Sequence, residues 1–288
     1  MKVLITGAGG FIGSHLVNRC RVLGYYVIGI DRKDRDYWSR GDASLACNEE
    51  FCMDARSVAE LTTSYKIKDI DLCFHLAADA RIQPSFVMPV EYAHNNIMST
   101  VELLNFCQSQ STRMIYAGSS TADDDVTKNV YAATKFTGEM LCKTWSKCFG
   151  LSTAVARFYN VYGERQIEEG IYATVIGIWE KQLREGMKLT VTGDGHKLRD
   201  FTAVEDIVDG LLAIAERGGR DGEVYALGSG LNHSILDVAR MFVHDKYIEF
   251  IPDRPGESEE TLADVYATEK AIGWKATRRL RDYVHRVV

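Results

Sequence analysis

The chain has 288 residues, which is enough for one large α/β domain, or one and a half domains, with an ample core. Its net charge is −6 and its Lys and Arg residues are dispersed, which argues against nucleic-acid or membrane binding. Seven scattered cysteines without a Cys-x-x-Cys pair favour a reducing compartment over a disulfide framework or a zinc site. No stretch reads as a signal peptide or a membrane span, so we expect a cytoplasmic protein.

The N-terminal segment predicts a strand, a glycine turn and a helix. A short apolar run ends at TGAGGFIG, residues 6–13, and a helical pattern then continues to about Gly24. Gly7, Gly10 and Gly13 would permit a tight turn and a close approach of the backbone to a pyrophosphate, and the helix N-terminus would supply N–H donors. The alternative is a glycine turn in another kind of α/β protein.

A second strand pattern ends in Asp31. A carboxylate at this place would hydrogen-bond the ribose of adenosine and repel a 2′-phosphate, so NAD is favoured over NADP, and Arg32 weakens that preference only slightly. Residues 34–48 are charged and predict a loop. The next strand ends in Asp54, whose carboxylate could meet the adenine edge or could cap a helix over residues 57–65.

Two further predicted strands end in small or hydroxyl-bearing residues. The pattern at 71–78 ends in small residues that would leave room for a cofactor, and its His75 reads as a buried core histidine. The strand pattern that begins at Arg113 delivers hydroxyls at residues 118–121, which could bind a substrate oxygen. Between them, a long helix pattern carries Asn95 and Asn96 in its interior. Because Asn is a poor helix-interior residue, we expect at least one of these amides to hydrogen-bond inward.

Tyr131 and Lys135 are four residues apart in YAATK, so a helix would place the phenol and the ammonium on one face. A neighbouring cation and the positive end of a bound nicotinamide would lower the pKa of the phenol, which could then act as a base near neutral pH. The spacing alone is weak evidence, because Tyr266 and Lys270 share it.

After residue 158 the alternation of strands and helices loosens, which indicates binding of something other than the dinucleotide. Arg199 and Arg254 each lie beside glycine or proline in a turn, where a guanidinium can bind a phosphate. An ordinary surface salt bridge is the alternative for both.

Together these segments resemble the extended short-chain dehydrogenase/reductase family, in its nucleotide-sugar epimerase and dehydratase branch, and are most similar to UDP-glucose/UDP-galactose 4-epimerases. The resemblance covers nearly the whole chain. The motifs that carry it, in order, are TGAGGFIG at 6–13, HLAA at 75–78, NN at 95–96, YAATK at 131–135, RFYNVYG at 157–163, GDGHKLRDF at 193–201, RPGE at 254–257 and GW at 273–274.

The resemblance implies a Rossmann-type doubly wound parallel sheet with a smaller mixed C-terminal lobe. Residues 1–158 would form the NAD-binding domain, with 200–228 returning to it, and 159–288 would mainly form the substrate-binding lobe. A homodimer is also implied, because family members pair helices such as those beginning at Pro89 and Tyr131 in a four-helix bundle.

The resemblance also implies site residues, none of them for a metal. NAD would contact Gly7, Gly10, Phe11, Ile12, Gly13, Asp31, Arg32, Asp54, Ala55, Leu76, Ala77, Ala78, Asn95, Tyr131, Lys135 and Tyr159. A nucleotide sugar would contact Ser119, Tyr131, Asn160, Arg199, Arg254, Glu257 and Thr261, with the arginines on its diphosphate.

In the implied mechanism Tyr131 removes a sugar hydroxyl proton while C4 gives a hydride to NAD, and the same hydride returns to the other face of the keto intermediate. Lys135 would hold the ribose and lower the pKa of the tyrosine. Ser119 or Ser120 would hydrogen-bond the reacting oxygen.

The catalytic segment departs from the family pattern in two ways. Family dehydratases and decarboxylases place a Glu two residues after the catalytic hydroxyl, whereas this chain has no carboxylate between Ser119 and Asp123, which favours 4-epimerisation. Only eleven residues separate Ser119 from Tyr131, fewer than in relatives. That shortening leaves the choice between Ser119 and Ser120 open and could leave one wall of the sugar site open.

Thr261 resembles a gate that faces the C2 substituent of the sugar. A small side chain there would admit an N-acetyl group, so we expect a UDP-hexose or a UDP-N-acetylhexosamine as substrate. A nucleotide-sugar reductase, or another epimerase or dehydratase of the branch, is the main alternative. A nonenzymatic dinucleotide-sensing module is a remote one.

Overall fold

The computed structural model describes residues 1–32 and 46–288. The expected loop over 34–48 therefore lies largely outside the described residues. The strands that form the large sheet are β1 (Lys2–Thr6), β2 (Tyr26–Asp31), β3 (Glu49–Cys52), β4 (Leu72–His75), β5 (Arg113–Ser119), β6 (Thr153–Phe158) and β11 (Asp221–Leu227). They pair in parallel in the order β11-β6-β5-β4-β1-β2-β3, which confirms the predicted doubly wound α/β sheet.

The helices follow the strands along the chain. They are α1 (Phe11–Val22), α2 (Glu60–Thr63), α3 (Ile82–Val87), α4 (Pro89–Gln110), α5 (Val130–Phe149), α6 (Val175–Arg184), α7 (Val204–Arg217), α8 (Ile235–Phe242), α9 (Val265–Ile272) and α10 (Leu280–Val287). Short 3-10 turns lie at Ala55–Ser57, Ser120–Asp123, Val126–Lys128 and Asp245–Tyr247. None of the helices in the described ranges is both long and apolar enough to cross a membrane.

The large sheet is covered on both faces. Successive side chains of a strand point to opposite faces, so Val3 and Ile5 join one buried cluster with Leu211 of α7, while Leu4 joins another with Leu103 of α4. Parallel sheets need this double cover, which explains the nearly continuous apolar runs in the strands. The strand order reverses between β1 and β4, and a ligand crevice forms at the carboxyl ends of such neighbouring strands.

The rest of the chain contains short strand pairs around a third buried cluster. The pairs are β7 (Val161–Tyr162) with β10 (Thr202–Ala203), β9 (Leu198–Asp200) with β12 (Asn232–Ser234), and β8 (Leu189–Thr192) with β13 (Ile248–Ile251). Trp179, Phe242 and Val284 belong to this cluster. Although α7 and β11 come late in the sequence, they lie with the large sheet.

Candidate active site

The glycine turn between β1 and α1 is tight enough to exclude side chains. Gly7 has φ +71°, and a Cβ placed on it would lie 2.9 Å from the backbone nitrogen of Ala77. A Cβ on Gly13 would lie 1.9 Å from the carbonyl oxygen of Gly7. The turn thus brings bare backbone to the start of α1, and such a surface fits the pyrophosphate of a dinucleotide.

A first cavity opens above this turn at the carboxyl ends of β1, β2 and β4. The sequence-predicted cofactor residues that line it are Gly7, Gly10, Phe11, Ile12, Gly13, Asp31, Arg32, Asp54, Ala55, Leu76, Ala77, Ala78, Asn95, Tyr131 and Lys135. Tyr159 is not among its lining residues. The cavity therefore gathers segments that are more than a hundred residues apart in sequence.

Asp79 links the two sides of this cavity, and the sequence reasoning missed it. Its carboxylate accepts hydrogen bonds from Arg32 at 2.6 Å, from the Asn95 amide at 2.6 Å and from the Tyr172 hydroxyl at 3.2 Å. The side chain is buried, so these charge-assisted bonds are weakly screened by solvent. Its only signal in the sequence is its place directly after the predicted strand end at 75–78.

Both helix-interior asparagines make the expected inward hydrogen bonds. Asn95 donates to the Asp79 carboxylate. The Asn96 amide accepts from the Asp79 backbone at 2.7 Å and donates to Thr134 of α5 at 3.1 Å. Asn96 is thus the buried tie between α4, α5 and the loop after β4.

Asp54 lines the first cavity but is also engaged locally. Its carboxylate accepts from the Arg56 backbone N–H at 2.8 Å and pairs with the Arg56 guanidinium at 2.9 Å. It therefore caps the 3-10 turn Ala55–Ser57, and the helix expected over 57–65 is reduced to this turn and α2.

Tyr131 lies in the first turn of α5, which begins after the Asn129 cap. The residue lines the first cavity and also a second one beside it. Burial raises the pKa of the Tyr131 phenol, while a hydrogen bond from the Ser119 hydroxyl and the positive charge of Arg81 lower it. Burial dominates in the free protein.

Lys135 is buried one helical turn after Tyr131 and lines the first cavity. Its ammonium lies 4.5 Å from the centroid of the Tyr116 ring, and burial lowers its pKa to about 8, against the influence of Glu139. The expected lowering of the Tyr131 pKa by Lys135 stays a prediction.

The two candidate serines have different surroundings. Ser119 is buried, and its hydroxyl oxygen accepts from the Thr121 backbone at 3.3 Å and from the Thr121 hydroxyl at 3.0 Å. It also hydrogen-bonds Tyr131. Ser120 lines the second cavity without a bond to the phenol among the described contacts.

The second cavity contains every sequence-predicted substrate residue. These are Ser119, Tyr131, Asn160, Arg199, Arg254, Glu257 and Thr261, and the other candidate catalytic serine, Ser120, lines the cavity as well. It shares part of its wall with the first cavity, namely Phe11, Ile12, Ala80, Arg81, Gly118, Tyr131 and Phe158. Molecules in the two cavities would therefore meet at Tyr131.

The second cavity is strongly cationic. Among its described lining residues, Arg81, Lys197, Arg199 and Arg254 are basic and Glu257 is the single acid. Arg199 is buried and lies 3.4 Å from the Glu257 carboxylate, and burial lowers its pKa, although a guanidinium stays charged. This balance favours a polyanionic ligand group such as a diphosphate.

Thr261 lies in the wall of the second cavity. Its hydroxyl oxygen accepts a hydrogen bond from the Asn160 amide at 3.1 Å and one from the Asp200 backbone at 3.3 Å. These bonds tie Thr261 to segments that lie 101 and 61 residues earlier in the chain and fix the side chain at the cavity edge.

Tyr159 does not line the cofactor cavity, so its contact with NAD stays a prediction. Its hydroxyl donates to Asp123, which also pairs with Arg157. Its neighbour Phe158, the last residue of β6, lines both cavities, because adjacent residues at a strand end point in opposite directions. Asp123 lines neither cavity.

The shortened segment between Ser119 and Tyr131 folds as two 3-10 turns, and another part of the chain covers it. The Asn129 amide donates to the Gly256 carbonyl at 3.0 Å, and the Gln83 amide donates to the Pro255 carbonyl at 2.9 Å. The RPGE turn thus lies at the wall of the sugar site that the shortened segment could have left open.

The chain matches a family model described as the NAD dependent epimerase/dehydratase family over residues 3–228. It belongs to this family. The expectations of an enzyme and of NAD as its cofactor are thereby confirmed.

Similar proteins and solved structures are described as nucleotide-sugar epimerases. A Bacillus subtilis protein described as an uncharacterized UDP-glucose epimerase, YtcB, is 29% identical and aligns over 98% of this chain and 95% of its own length. UDP-glucuronic acid 4-epimerase from Bacillus cereus, solved with UDP-glucuronic acid and NAD, has a TM-score of 0.87 at 29% identity and covers 99% and 97% of the two chains. UDP-N-acetylglucosamine 4-epimerase from Methanobrevibacter ruminantium, solved with UDP-N-acetylmuramic acid, has a TM-score of 0.86 at 26% identity and covers 99% and 96%.

Proposed function

We propose that this enzyme is a nucleotide-sugar 4-epimerase that interconverts UDP-hexoses or UDP-N-acetylhexosamines. The observation that carries the proposal is the junction of the two cavities, where Tyr131 hydrogen-bonds Ser119 and no carboxylate is among the described residues that line both cavities. Elimination of water would require such an extra acid or base, whereas epimerisation requires only one group that moves a proton back and forth.

The substrate is proposed from the chemistry of the second cavity and from the relatives. Arg199 and Arg254 would bind the diphosphate, and Asn160 would orient the sugar. The solved relatives described above carry UDP-sugars, which supports a UDP carrier. Thr261 would leave space for an N-acetyl group at C2, so both plain and N-acetylated sugars are expected to be accepted.

NAD, when bound, would supply reversible acceptance of a hydride from C4 of the sugar. The first cavity would hold NAD, with the glycine turn at its pyrophosphate, Asp31 at the adenosine ribose and Lys135 near the end of NAD that accepts the hydride. Tyr131 would take the proton of the C4 hydroxyl and return it after the sugar ring has turned. Ser119 would hydrogen-bond the same oxygen and keep it within reach of the phenol.

The proposal is tested by incubating the purified protein with UDP-glucose, UDP-galactose and their 2-acetamido counterparts at catalytic amounts of NAD. We expect NMR to show interconversion of the C4 epimers without net consumption of the cofactor. Net oxidation of NADH would establish the reductase alternative instead. Loss of water from the sugar would establish a dehydratase.

We also propose how the chain divides into a cofactor part and a substrate part, and in which compartment the protein acts. Residues 1–158 together with 200–228 are proposed as the NAD-binding part, since α7 and β11 lie with the large sheet. Residues 159–288 are proposed to supply most of the substrate wall. A cytoplasmic location is supported by the seven cysteines, all of which are free, since the cytosol keeps thiols reduced.

We also propose a homodimer formed through α4 and α5. Val90, Met98 and Met140 are 74%, 38% and 46% exposed on these helices, which is unusual for apolar side chains unless another surface covers them. Light scattering at micromolar concentration should give twice the chain mass, and Met98→Glu should shift it toward the monomer. A monomeric wild-type protein would refute this.

A further inference from the structure

Arg32 lies directly after the carboxylate that is expected to bind the adenosine ribose. The strand β2 ends in Asp31, and both residues line the first cavity. In dinucleotide-binding sheets, a carboxylate at this strand end hydrogen-bonds the ribose 2′-hydroxyl, whereas a nearby arginine accommodates the 2′-phosphate of NADP. Because Arg32 follows Asp31, this strand end carries one residue of each kind.

The guanidinium of Arg32 is directed to another strand end. Its Nη2 donates to Oδ1 of Asp79 at 2.6 Å. Asp79 follows β4, and the sheet order places β1 between β4 and β2. The side chain therefore reaches across the glycine turn at the end of β1, and away from β3 and Asp54, where the adenine is expected. A guanidinium held at Asp79 points away from the place of a 2′-phosphate.

The Asp79 carboxylate is fixed by other donors as well. The Asn95 amide donates to its Oδ2 at 2.6 Å, and the Tyr172 hydroxyl donates to its Oδ1 at 3.2 Å. The side chain of Asp79 is only 7% exposed, while that of Arg32 is 51% exposed. Withdrawing Arg32 would leave a buried carboxylate without its counter-charge, which is costly. A phosphate would therefore have to compete with Asp79 for the guanidinium.

Two other carboxylates lie at neighbouring strand ends, and each binds another group. Asp54 accepts from the Arg56 backbone and pairs with the Arg56 guanidinium. Asp31 accepts from the Gly9 backbone N–H at 3.1 Å. In the contacts of the described residues, the carboxylate that holds the Arg32 guanidinium is thus Asp79.

We propose that Asp79 is a positioning residue that sets the preference for NAD by holding the Arg32 guanidinium away from the place of a 2′-phosphate. NAD has a hydroxyl at this place and needs no cation there, whereas NADP binds well only when Arg32 leaves Asp79. The preference then depends on two carboxylates, because Asp31 repels the phosphate and Asp79 withholds its counter-ion. The proposal concerns the cofactor cavity and does not depend on which sugar the enzyme uses.

The test uses Asp79→Asn in the full-length protein. The backbone of Asp79 is held by Asn96, whose amide accepts from the Asp79 N–H at 2.7 Å and donates to the Asp79 carbonyl at 3.0 Å. Because neither bond involves the carboxylate, the loop after β4 should keep its place in the variant. Asp79→Ser removes the same charge and replaces the asparagine variant if that one does not fold.

The readout is the ratio of bound NADP to bound NAD, which does not depend on turnover. Each protein is equilibrated with a mixture of the two dinucleotides until the bound ratio is constant and is then separated by rapid gel filtration. The bound dinucleotides are released and quantified by chromatography. The ratio should rise about tenfold in Asp79→Asn, because the freed guanidinium can form a charge-assisted contact with the 2′-phosphate.

Arg32→Ala provides the matched background. Alone it should leave the ratio near that of wild type, because Asp79 already withholds the guanidinium. Combined with Asp79→Asn it should abolish the tenfold gain, since the cation that Asp79→Asn frees is then missing. Asp245→Asn, which breaks a surface pair with Arg240 outside both cavities, should leave the ratio unchanged.

Three results would overturn the proposal. An unchanged ratio in the Asp79 variants would show that the guanidinium is not withheld from the 2′-phosphate. An equal rise with and without Arg32 would mean that the lost negative charge acts by itself. A large fall of the ratio in Arg32→Ala alone would mean that Arg32 already reaches the 2′-phosphate in the wild-type protein.

Discussion

The two halves of the cleft are built in different ways. In the cofactor half, the lining residues follow the ends of consecutive parallel strands, so each lies within a few residues of a regular element. In the substrate half, the wall is joined from distant segments by single contacts, such as Asn160 to Thr261 and Arg199 to Glu257. A regular sheet positions many side chains at once, whereas a loop wall depends on each individual hydrogen bond.

The largest effect is expected at Tyr131, where the two halves meet. Tyr131→Phe removes only the ionisable oxygen, so turnover should fall by about a thousandfold or more while NAD and sugar-nucleotide affinities stay nearly unchanged. Steady-state kinetics and calorimetric titrations measure these quantities. Tyr266→Phe, at a side chain that is 71% exposed, is the control with the same spacing to a lysine. Wild-type turnover in Tyr131→Phe would remove this residue from the mechanism.

In the substrate half, Arg199→Met should raise the KM for the nucleotide sugar about 10–100-fold and leave the NAD affinity unchanged, because a buried guanidinium bound to phosphate is lost. The matched control is Arg240→Met, which removes surface pairs with Asp237 and Asp245. If the NAD affinity falls as much as the sugar-nucleotide affinity, the two halves are not independent.

In the cofactor half, Asp79→Asn should speed the release of NAD about tenfold with little change in sugar-nucleotide affinity. The amide loses the ion pair with Arg32 and the charge-assisted bond from Asn95. Stopped-flow displacement of NAD measures the rate. Asp69→Asn, at an exposed position outside both cavities, is the control and should release NAD at the wild-type rate. Equal rates in all three proteins would contradict a role for Asp79.

In the substrate half, Thr261→Tyr should lower the turnover of N-acetylated sugar nucleotides more than that of plain ones. A large side chain can exclude a bulky C2 substituent, so turnover of UDP-N-acetylhexosamines should fall about tenfold more than that of UDP-hexoses. The ratio of kcat/KM values for the two substrates is the measurement. Val is close to Thr in shape, so Thr261→Val tests whether the lost hydrogen bond from Asn160 alone explains the change. Equal losses on both sugars in Thr261→Tyr would place this residue outside the gate.

The smallest effect concerns the sheet beneath the cofactor cavity. His75 is buried, its ring nitrogens lie 2.8 Å from the Thr6 hydroxyl and 3.2 Å from the Thr100 hydroxyl, and burial lowers its pKa to about 3. Because the unfolded chain takes up a proton near pH 6.5 and the folded chain does not, His75 makes stability fall as the pH drops from 6.5 toward 3.

His75→Asn should therefore melt at a lower temperature near pH 8 but lose less on acidification to pH 5 than wild type, a difference of about a few degrees. Scanning calorimetry across this pH range checks the slope. The exposed His285→Asn should keep the wild-type slope. An unchanged slope in His75→Asn would mean that other groups dominate acid unfolding.

Local chemistry in the sequence determined the α/β sheet, the glycine turn and the preference for NAD. Strand and helix periods depend on neighbouring residues, and so does the turn that admits a pyrophosphate at residues 6–13. The proximity of Tyr131 to Lys135 likewise follows from helix geometry alone. The resemblance to a family then placed Arg199, Arg254 and Thr261 in one site, which no local pattern could do.

Tertiary structure decided what surrounds the candidate catalytic residues. The Lys135 ammonium lies over the Tyr116 ring of β5, and burial lowers its pKa to about 8. The direction of a side chain at a strand end also placed Phe158, rather than Tyr159, in the cavity wall. These outcomes depend on burial and on contacts between segments far apart in the chain, and electrostatic effects of that kind have no signature in local sequence.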